Sequence, residues 1–301
     1  MQFLSTSIAD APHSILTEVT FLMALRERTA LTKEVFARMP KLKLILQTGG
    51  HAYHIDQAAA EDRGISIALG RRVKAPLITV PELTFAMMLG LMHKIPQSQP
   101  AMHKGEWPLV MGRTLNKRRL GILGMGRHGS RVADIAKNAF NMEVVSWART
   151  ESYFQTPADI PRLNLDELLH TSDVVSIHLR LSPESTNLLN EERLQMMKPG
   201  AILINTSRGA IVNEPALINA LTRGPLASAG LDVYTHEPLA KDSPLRSLSN
   251  VILTPHIGWT VEEVFEEFAQ IASTQLQQYL QGTLPESELL NSIAEDRREK
   301  D

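Results

Sequence analysis

The sequence predicts an α/β fold of two doubly wound parallel-sheet domains, and three observations predict it. Apolar runs of about five residues alternate with amphipathic stretches along most of the chain. A glycine-rich turn, Gly124-Met-Gly126-Arg-His-Gly129, heads the longest alternating series. The 301 residues exceed one ordinary core, on the rough expectation of ~100–200 residues per domain.

Taken in order, Val19–Leu25, Leu42–Gln47 and Ile65–Leu69 read as strands of a first domain. A helix over Glu82–Lys94 carries Phe85, Met88, Leu89 and Met92 at spacings of three and four, and is expected to link the domains. Six strands follow, at Leu120–Leu123, Val144–Trp147, Val174–His178, Ala201–Asn205, Ala227–Leu231 and Val251–Thr254. Continuous apolar runs of this kind suit strands buried on both faces. Amphipathic segments such as Leu165–His170 and Glu214–Leu221 separate them. The last helix starts at Thr260 with a capping box, Glu263 standing three residues on. Phe265, Phe268, Ala272, Leu276 and Tyr279 trace its apolar face and Gly282 ends it. This helix is expected to return to the first domain, so that residues 1–93 and 261–301 flank a domain of residues 94–260. Two crossings imply a cleft, a common setting for small-molecule sites.

Composition removes several function classes. Lys and Arg number 31 against 33 Asp and Glu, so no overall basic charge marks a nucleic-acid or membrane-surface binder. There is no cysteine, which excludes disulfides, thiolate metal sites and a cysteine nucleophile. The histidines show no ligand-spaced cluster; His51 and His54 are three apart but lack a further partner, so no metal is expected. Met1–Ile15 has no secretory pattern and the apolar runs fall short of the ~20 residues that span a bilayer, so a cytoplasmic protein is expected.

The glycine turn fits a strand, then GxGxxG, then a helix. Gly124 permits the tight turn, Gly126 the approach of a pyrophosphate, and Gly129 close helix–strand packing. Arg127 and His128 complete the turn, and the anion sits at the helix N-terminus. Proteins that bind NAD this way place an acid about 20 residues on. Here Ala148 stands 19 residues after Gly129, followed by Arg149 and Thr150. With no carboxylate to repel it, a 2′-phosphate could pair with Arg149 and Thr150. NADP(H) is therefore favoured, with NAD(H) and a merely solvated Arg149 as the alternative.

Three further segments follow strand ends, where open α/β sheets bind ligands. They are Asn205-Thr-Ser-Arg-Gly209, Leu231-Asp-Val-Tyr-Thr-His-Glu-Pro238 and Thr254-Pro-His-Ile-Gly258. With the glycine turn, and in this order, they make the chain resemble the D-isomer-specific 2-hydroxyacid dehydrogenases from about Leu16 to about Leu280. The resemblance implies a Rossmann cofactor domain inserted into a flavodoxin-like substrate domain, a homodimer, and roles for Arg208, Glu237 and His256.

The chemistry of those residues agrees. Hydride addition to a ketone builds negative charge on oxygen, and a protonated His256 could donate the proton. Glu237 would hold the ring and favour its charged form. Arg208 offers a planar fork for a substrate carboxylate beside the carbonyl. The expected reaction is hydride transfer between the nicotinamide and a small 2-oxo or 2-hydroxy acid, of the glyoxylate or hydroxypyruvate kind. The alternatives are a dinucleotide-sensing binding protein and a paralogue that binds cofactor without turnover.

By resemblance, Asp232 lies near the nicotinamide carboxamide, Thr206 approaches the nicotinamide, His178 passes the ribose, and Gly258 belongs to the cofactor set. Arg180 departs from the proline of many relatives. Gly49 and Gly50, in Gln47-Thr-Gly-Gly-His51, match a loop whose backbone N–H groups receive the substrate carboxylate. Trp259 is the aromatic candidate for the pocket wall. Only some eighteen residues precede Val19, so the first domain is expected to lack its usual first strand and to show an open sheet edge.

Overall fold

The computed structural model describes residues 8–25, 29–149, 157 and 159–290. The chain divides into two compact units, Met1–Ala75 with Glu262–Asp301, and Pro76–Val261.

In the first unit, α1 (His13–Leu16) leads to β1 (Phe21–Ala24), α2 (Lys33–Ala37), β2 (Leu44–Gln47), α3 (Gln57–Asp62) and β3 (Ser66–Leu69). The strands form a parallel sheet in the order β1-β2-β3, with Phe21 opposite Leu44 and Leu44 opposite Ser66. One face packs on Leu16, Phe36, Ala59 and Ala60, and the other on Ala272, Leu276 and Tyr279. Beyond β3 the chain adds an antiparallel bridge from Ala68 to Leu289. β1 lies at the other edge, its four residues half-buried.

The second unit opens with α4 (Pro76–Met92) and α5 (Ile95–His103). Then come β4 (Arg119–Leu123), α6 (Arg127–Phe140), β5 (Glu143–Trp147), α7 (Leu165–Thr171), β6 (Val174–Ile177), α8 (Glu191–Gln195), β7 (Ile202–Asn205), α9 (Glu214–Thr222), β8 (Ser228–Leu231) and β9 (Val251–Leu253). Their sheet is wholly parallel, in the order β5-β4-β6-β7-β8-β9. β6, β7 and β8 are buried throughout, as apolar runs between two helical layers require. A parallel bridge from Ser146 to Arg162 extends the sheet beyond β5. The strand order reverses at β4, the kind of switch point where α/β sheets bind ligands. α10 (Glu262–Leu280) then belongs to the first unit.

Every expected strand is present, with ends shifted by one or two residues. Two helices differ. The one expected at Glu82–Lys94 starts at Pro76, runs through Pro81 and ends at Met92. Its buried residues, among them Phe85, Met87, Met88 and Leu91, pack on the six-stranded sheet with Leu120, Ile122 and Ile204. It is thus a core helix of the second unit, and the boundary falls at Ala75–Pro76 instead of after residue 93. On α10 the buried positions are Val264, Phe268, Ala272 and Gln275, whereas Phe265 is 39% exposed. Phe268, Ala272, Leu276 and Tyr279 face inward as expected, and Phe265 alone of the expected face does not. Gln275 is buried beside them, its Nε2 donating to the Leu69 carbonyl at 3.1 Å and to Glu288 Oε2 at 2.7 Å. Hydrogen bonds of this kind offset the desolvation of a buried polar side chain.

Candidate active site

The glycine turn sits at the switch point. Gly124 has φ 99°, in the left-handed region, and a Cβ there would lie 2.8 Å from the His178 carbonyl oxygen. A Cβ on Gly129 would run into the Gly124 carbonyl, whereas one on Gly126 would meet nothing within 4 Å. The turn is therefore closed on its sheet side and open above Gly126, a space a side chain would fill and a pyrophosphate fits. Gly126 is also the N-cap of the 14-residue α6, whose first N–H groups have no intrahelical acceptor. Arg127 is exposed there and His128 half-buried. Burial, and then the Arg127 charge, hold the His128 imidazole below its ordinary pKa. His178, beside the turn, shares a 2.9 Å hydrogen bond between Nε2 and Ser176 Oγ. Burial first, and the His128 charge second, push it down to about 3, so it is neutral.

At the end of β5, Arg149 Nη1 lies 3.5 Å from Glu184 Oε2. Arg162 donates to the Ala148 carbonyl at 2.5 Å. Thr150 lies outside the described residues.

The strand-end loops after β7, β8 and β9 carry the chemistry. His256 Nδ1 and Glu237 Oε2 are 2.7 Å apart, and Glu237 Oε1 accepts the Tyr234 N–H at 3.0 Å. Burial pushes the Glu237 carboxyl up. The His256 and Tyr234 hydrogen bonds and the charges of His256 and Arg208 outweigh it, so the net shift is downward and the group is a carboxylate. Arg208 thus lies within electrostatic reach of the dyad, and its Nη1 donates to the Ser207 carbonyl at 2.7 Å. Asn205 shapes this loop, donating to the Arg208 carbonyl at 2.9 Å and accepting the Ser207 N–H at 3.1 Å. Thr206 Oγ1 is 3.1 Å from Thr84 Oγ1 on α4.

Asp232 is 1% exposed and its oxygens are fully engaged by the loop after β9. Oδ1 accepts the Thr254 hydroxyl at 2.5 Å and the Ile257 N–H at 2.7 Å, and Oδ2 the Gly258 N–H at 2.9 Å. Thr79 donates to the Gly258 carbonyl at 2.7 Å. These bonds fix the loop around His256, whose φ of 56° is left-handed. Trp259 is half-buried next to it.

In the other unit, Gly49 has φ 96° in the turn after β2, and Gly50 is exposed. Gln47 Nε2 braces this turn through the Thr48 and His51 carbonyls at 3.1 and 3.0 Å. The His51 ring stacks on Tyr53 with centroids 5.2 Å apart.

The structure brings Glu237 and His256 into contact and leaves Arg208 within electrostatic reach of Glu237. It adds residues that the sequence reading passed over: Gly209, Tyr234, Thr79, Glu184 and Arg162. A Cβ on Gly209 would run into the Tyr234 carbonyl, so this glycine is what lets the Arg208 and Glu237 loops touch. The only sequence signal for it is its place in Asn205-Thr-Ser-Arg-Gly209. Among the described residues no group of three acidic or imidazole side chains could hold a metal ion, and no single helix is long and apolar enough to cross a membrane.

Residues 85–258 match the family described as D-isomer specific 2-hydroxyacid dehydrogenase, NAD binding domain. The glyoxylate reductase of Aeropyrum pernix is 34% identical over 287 residues, 92% of this chain and 82% of that protein. The D-3-phosphoglycerate dehydrogenase of Methanocaldococcus jannaschii is 33% identical over 275 residues, 88% of this chain. Our chain spans only about half, 51%, of that enzyme's length. The solved D-lactate dehydrogenase of Aquifex aeolicus, complexed with NAD and lactic acid, superposes with a TM-score of 0.77. It is 29% identical and covers 95% of this chain and 91% of its own.

Proposed function

The chain belongs to the D-isomer-specific 2-hydroxyacid dehydrogenase family of nicotinamide-dependent oxidoreductases, and we propose that it reduces a small 2-oxo acid of the glyoxylate or hydroxypyruvate kind, with NADP(H) preferred. The observation that carries this reading is the 2.7 Å Glu237–His256 contact, with Arg208 within electrostatic reach of Glu237, at the ends of strands in the same sheet as the dinucleotide turn.

A bound reduced nicotinamide supplies the hydride. The chain supplies the rest. Arg208 takes the substrate carboxylate in a planar fork and draws charge from the neighbouring carbonyl. The imidazolium of His256 gives its Nε2 proton to the carbonyl oxygen as negative charge develops there. Glu237, a carboxylate anchored on the Tyr234 N–H, receives the Nδ1–H and fixes the ring so that Nε2 faces outward. Asp232 acts by positioning, since it holds the Ile257 and Gly258 amides. Gly49, Gly50, Thr206, His178, Gly258 and Trp259 are assigned to substrate or cofactor on the resemblance. We also read the protein as a homodimer.

The test is loss of reduced-nicotinamide absorbance with NADPH or NADH against a panel of 2-oxo acids. The variant is His256→Asn, because asparagine tolerates the left-handed backbone at φ 56°. The expected loss in kcat is ~10²–10⁴-fold, with NADPH affinity unchanged within about twofold. Turnover surviving in the variant overturns the acid assignment. NADPH binding without turnover of any acid by the wild type overturns the reductase reading.

A further inference from the structure

Among the described residues no acid follows the end of β5 at Trp147 before Arg149, but the fold brings one to Arg149 from 35 positions further along, 184 − 149. Glu184 lies in the loop after β6, 3.5 Å from Arg149. That loop is ordered by its own hydrogen bonds. The Ser182 hydroxyl donates to Glu184 Oε2 at 2.6 Å. Ser185 Oγ accepts the Ser182 N–H at 2.7 Å and donates to the Arg180 carbonyl at 2.9 Å. The Ser182 hydroxyl, then the residue's own backbone N–H, and less so the Arg149 charge, hold Glu184 below the usual carboxylate range, so it is charged at neutral pH. Arg149 and Glu184 are 59% and 51% exposed. An ion pair that open to water is weak and easily exchanged.

We propose that Glu184 sets the choice between the two nicotinamide dinucleotides: it holds Arg149 in an exchangeable pair that a 2′-phosphate must displace and a free 2′-hydroxyl leaves in place. The proposal rests on the reading that Arg149 receives the 2′-phosphate. A phosphate dianion offers Arg149 more charge than a carboxylate and a bidentate partner, so it takes the guanidinium. Glu184, left unpaired a few ångströms away, then repels the phosphate. Both effects subtract from NADP(H) affinity and neither touches NAD(H).

Calorimetric titration of the full-length protein with NADP⁺ and NAD⁺ tests this without relying on turnover. Glu184→Gln keeps an acceptor for the Ser182 hydroxyl and removes the charge. It is expected to tighten NADP⁺ binding about three- to tenfold and to leave NAD⁺ within about twofold. Arg149→Ala is expected to weaken NADP⁺ at least about tenfold, and in that background the gain from Glu184→Gln shrinks. Equal changes for both dinucleotides, or no change for NADP⁺ in Glu184→Gln while Arg149→Ala still weakens it, overturn the role of Glu184 alone. An NADP⁺/NAD⁺ ratio untouched by Arg149→Ala overturns the reading of Arg149, and the proposal with it.

Discussion

His178 shows how one half-buried side chain ties stability to pH. Its folded-state pKa is about 3, held there by burial and by the facing His128, which burial and Arg127 also keep low. Unfolding returns the ring to about 6.5, so below that value the unfolded chain binds a proton that the folded one refuses. The stability His178 confers is complete above about pH 6.5 and is lost as pH falls towards 3. One such proton gives a slope of at most ~1.4 kcal/mol per pH unit. Urea denaturation of the wild type and His178→Gln between pH 7 and 5 should show the variant with the flatter dependence, His128 supplying what slope remains. Equal slopes would mean that His178 is solvated. The sequence places His178 at a strand end, but not its neutrality, which depends on His128 and on burial that only the folded chain creates. Glu237 and His256 are legible because their motifs follow adjacent strands of a parallel sheet. Asp232 is legible as a residue of interest but not as a brace, because its partners Thr254, Ile257 and Gly258 lie on the next strand's loop.

At the scale of elements, two glycines at strand and helix ends separate packing from binding. Gly209 lets the loop after β7 lie against Tyr234, and alanine there must displace a backbone carbonyl. Gly209→Ala is expected to cost ~1–3 kcal/mol by overpacking. It should lower kcat/KM beyond what the unfolded fraction explains, since Arg208 is the preceding residue. Gly126 is the opposite case, with open space where the Cβ would go and an ordinary φ of −74°. Gly126→Ala should fold with nearly wild-type stability and bind dinucleotide about tenfold or more weakly, because the methyl occupies the pyrophosphate's place. Denaturation midpoints together with cofactor titration check the pair. Equal stability loss in both variants would contradict it. The strands were readable because apolar runs buried on both faces carry their own signal. α4 was harder: Pro81 inside a helix looks like a boundary, and only packing against β7, β8 and β9 shows that the helix runs on to both sides of it.

For the molecule as a whole, the exposed surface bears on assembly. Trp107, Leu109 and Met111 are 89%, 99% and 87% exposed, and α5 just before them shows Ile95 and Met102 at 48% and 47%. Alternate residues of one non-helical stretch thus hold three large apolar side chains in water, a concentration of apolar surface that marks an interaction site. The sequence alone could not single them out, since residues of the same kind form the cores; exposure is what separates them. A second copy of the chain is the occupant that fits the proposed homodimer. A symmetric interface needs a patch that complements itself, and an apolar strip without charge among Trp107, Pro108, Leu109, Val110 and Met111 meets that condition. Light scattering at micromolar concentration should give twice the 33.4 kDa chain mass. The triple variant Trp107→Ser, Leu109→Ser, Met111→Ser should give the monomer mass with unchanged far-ultraviolet dichroism, because none of the three side chains belongs to a core cluster. A wild-type monomer at that concentration would remove the need for a self-partner. A triple variant that stays dimeric would move the interface elsewhere on the surface, and the strip would then have no role in assembly.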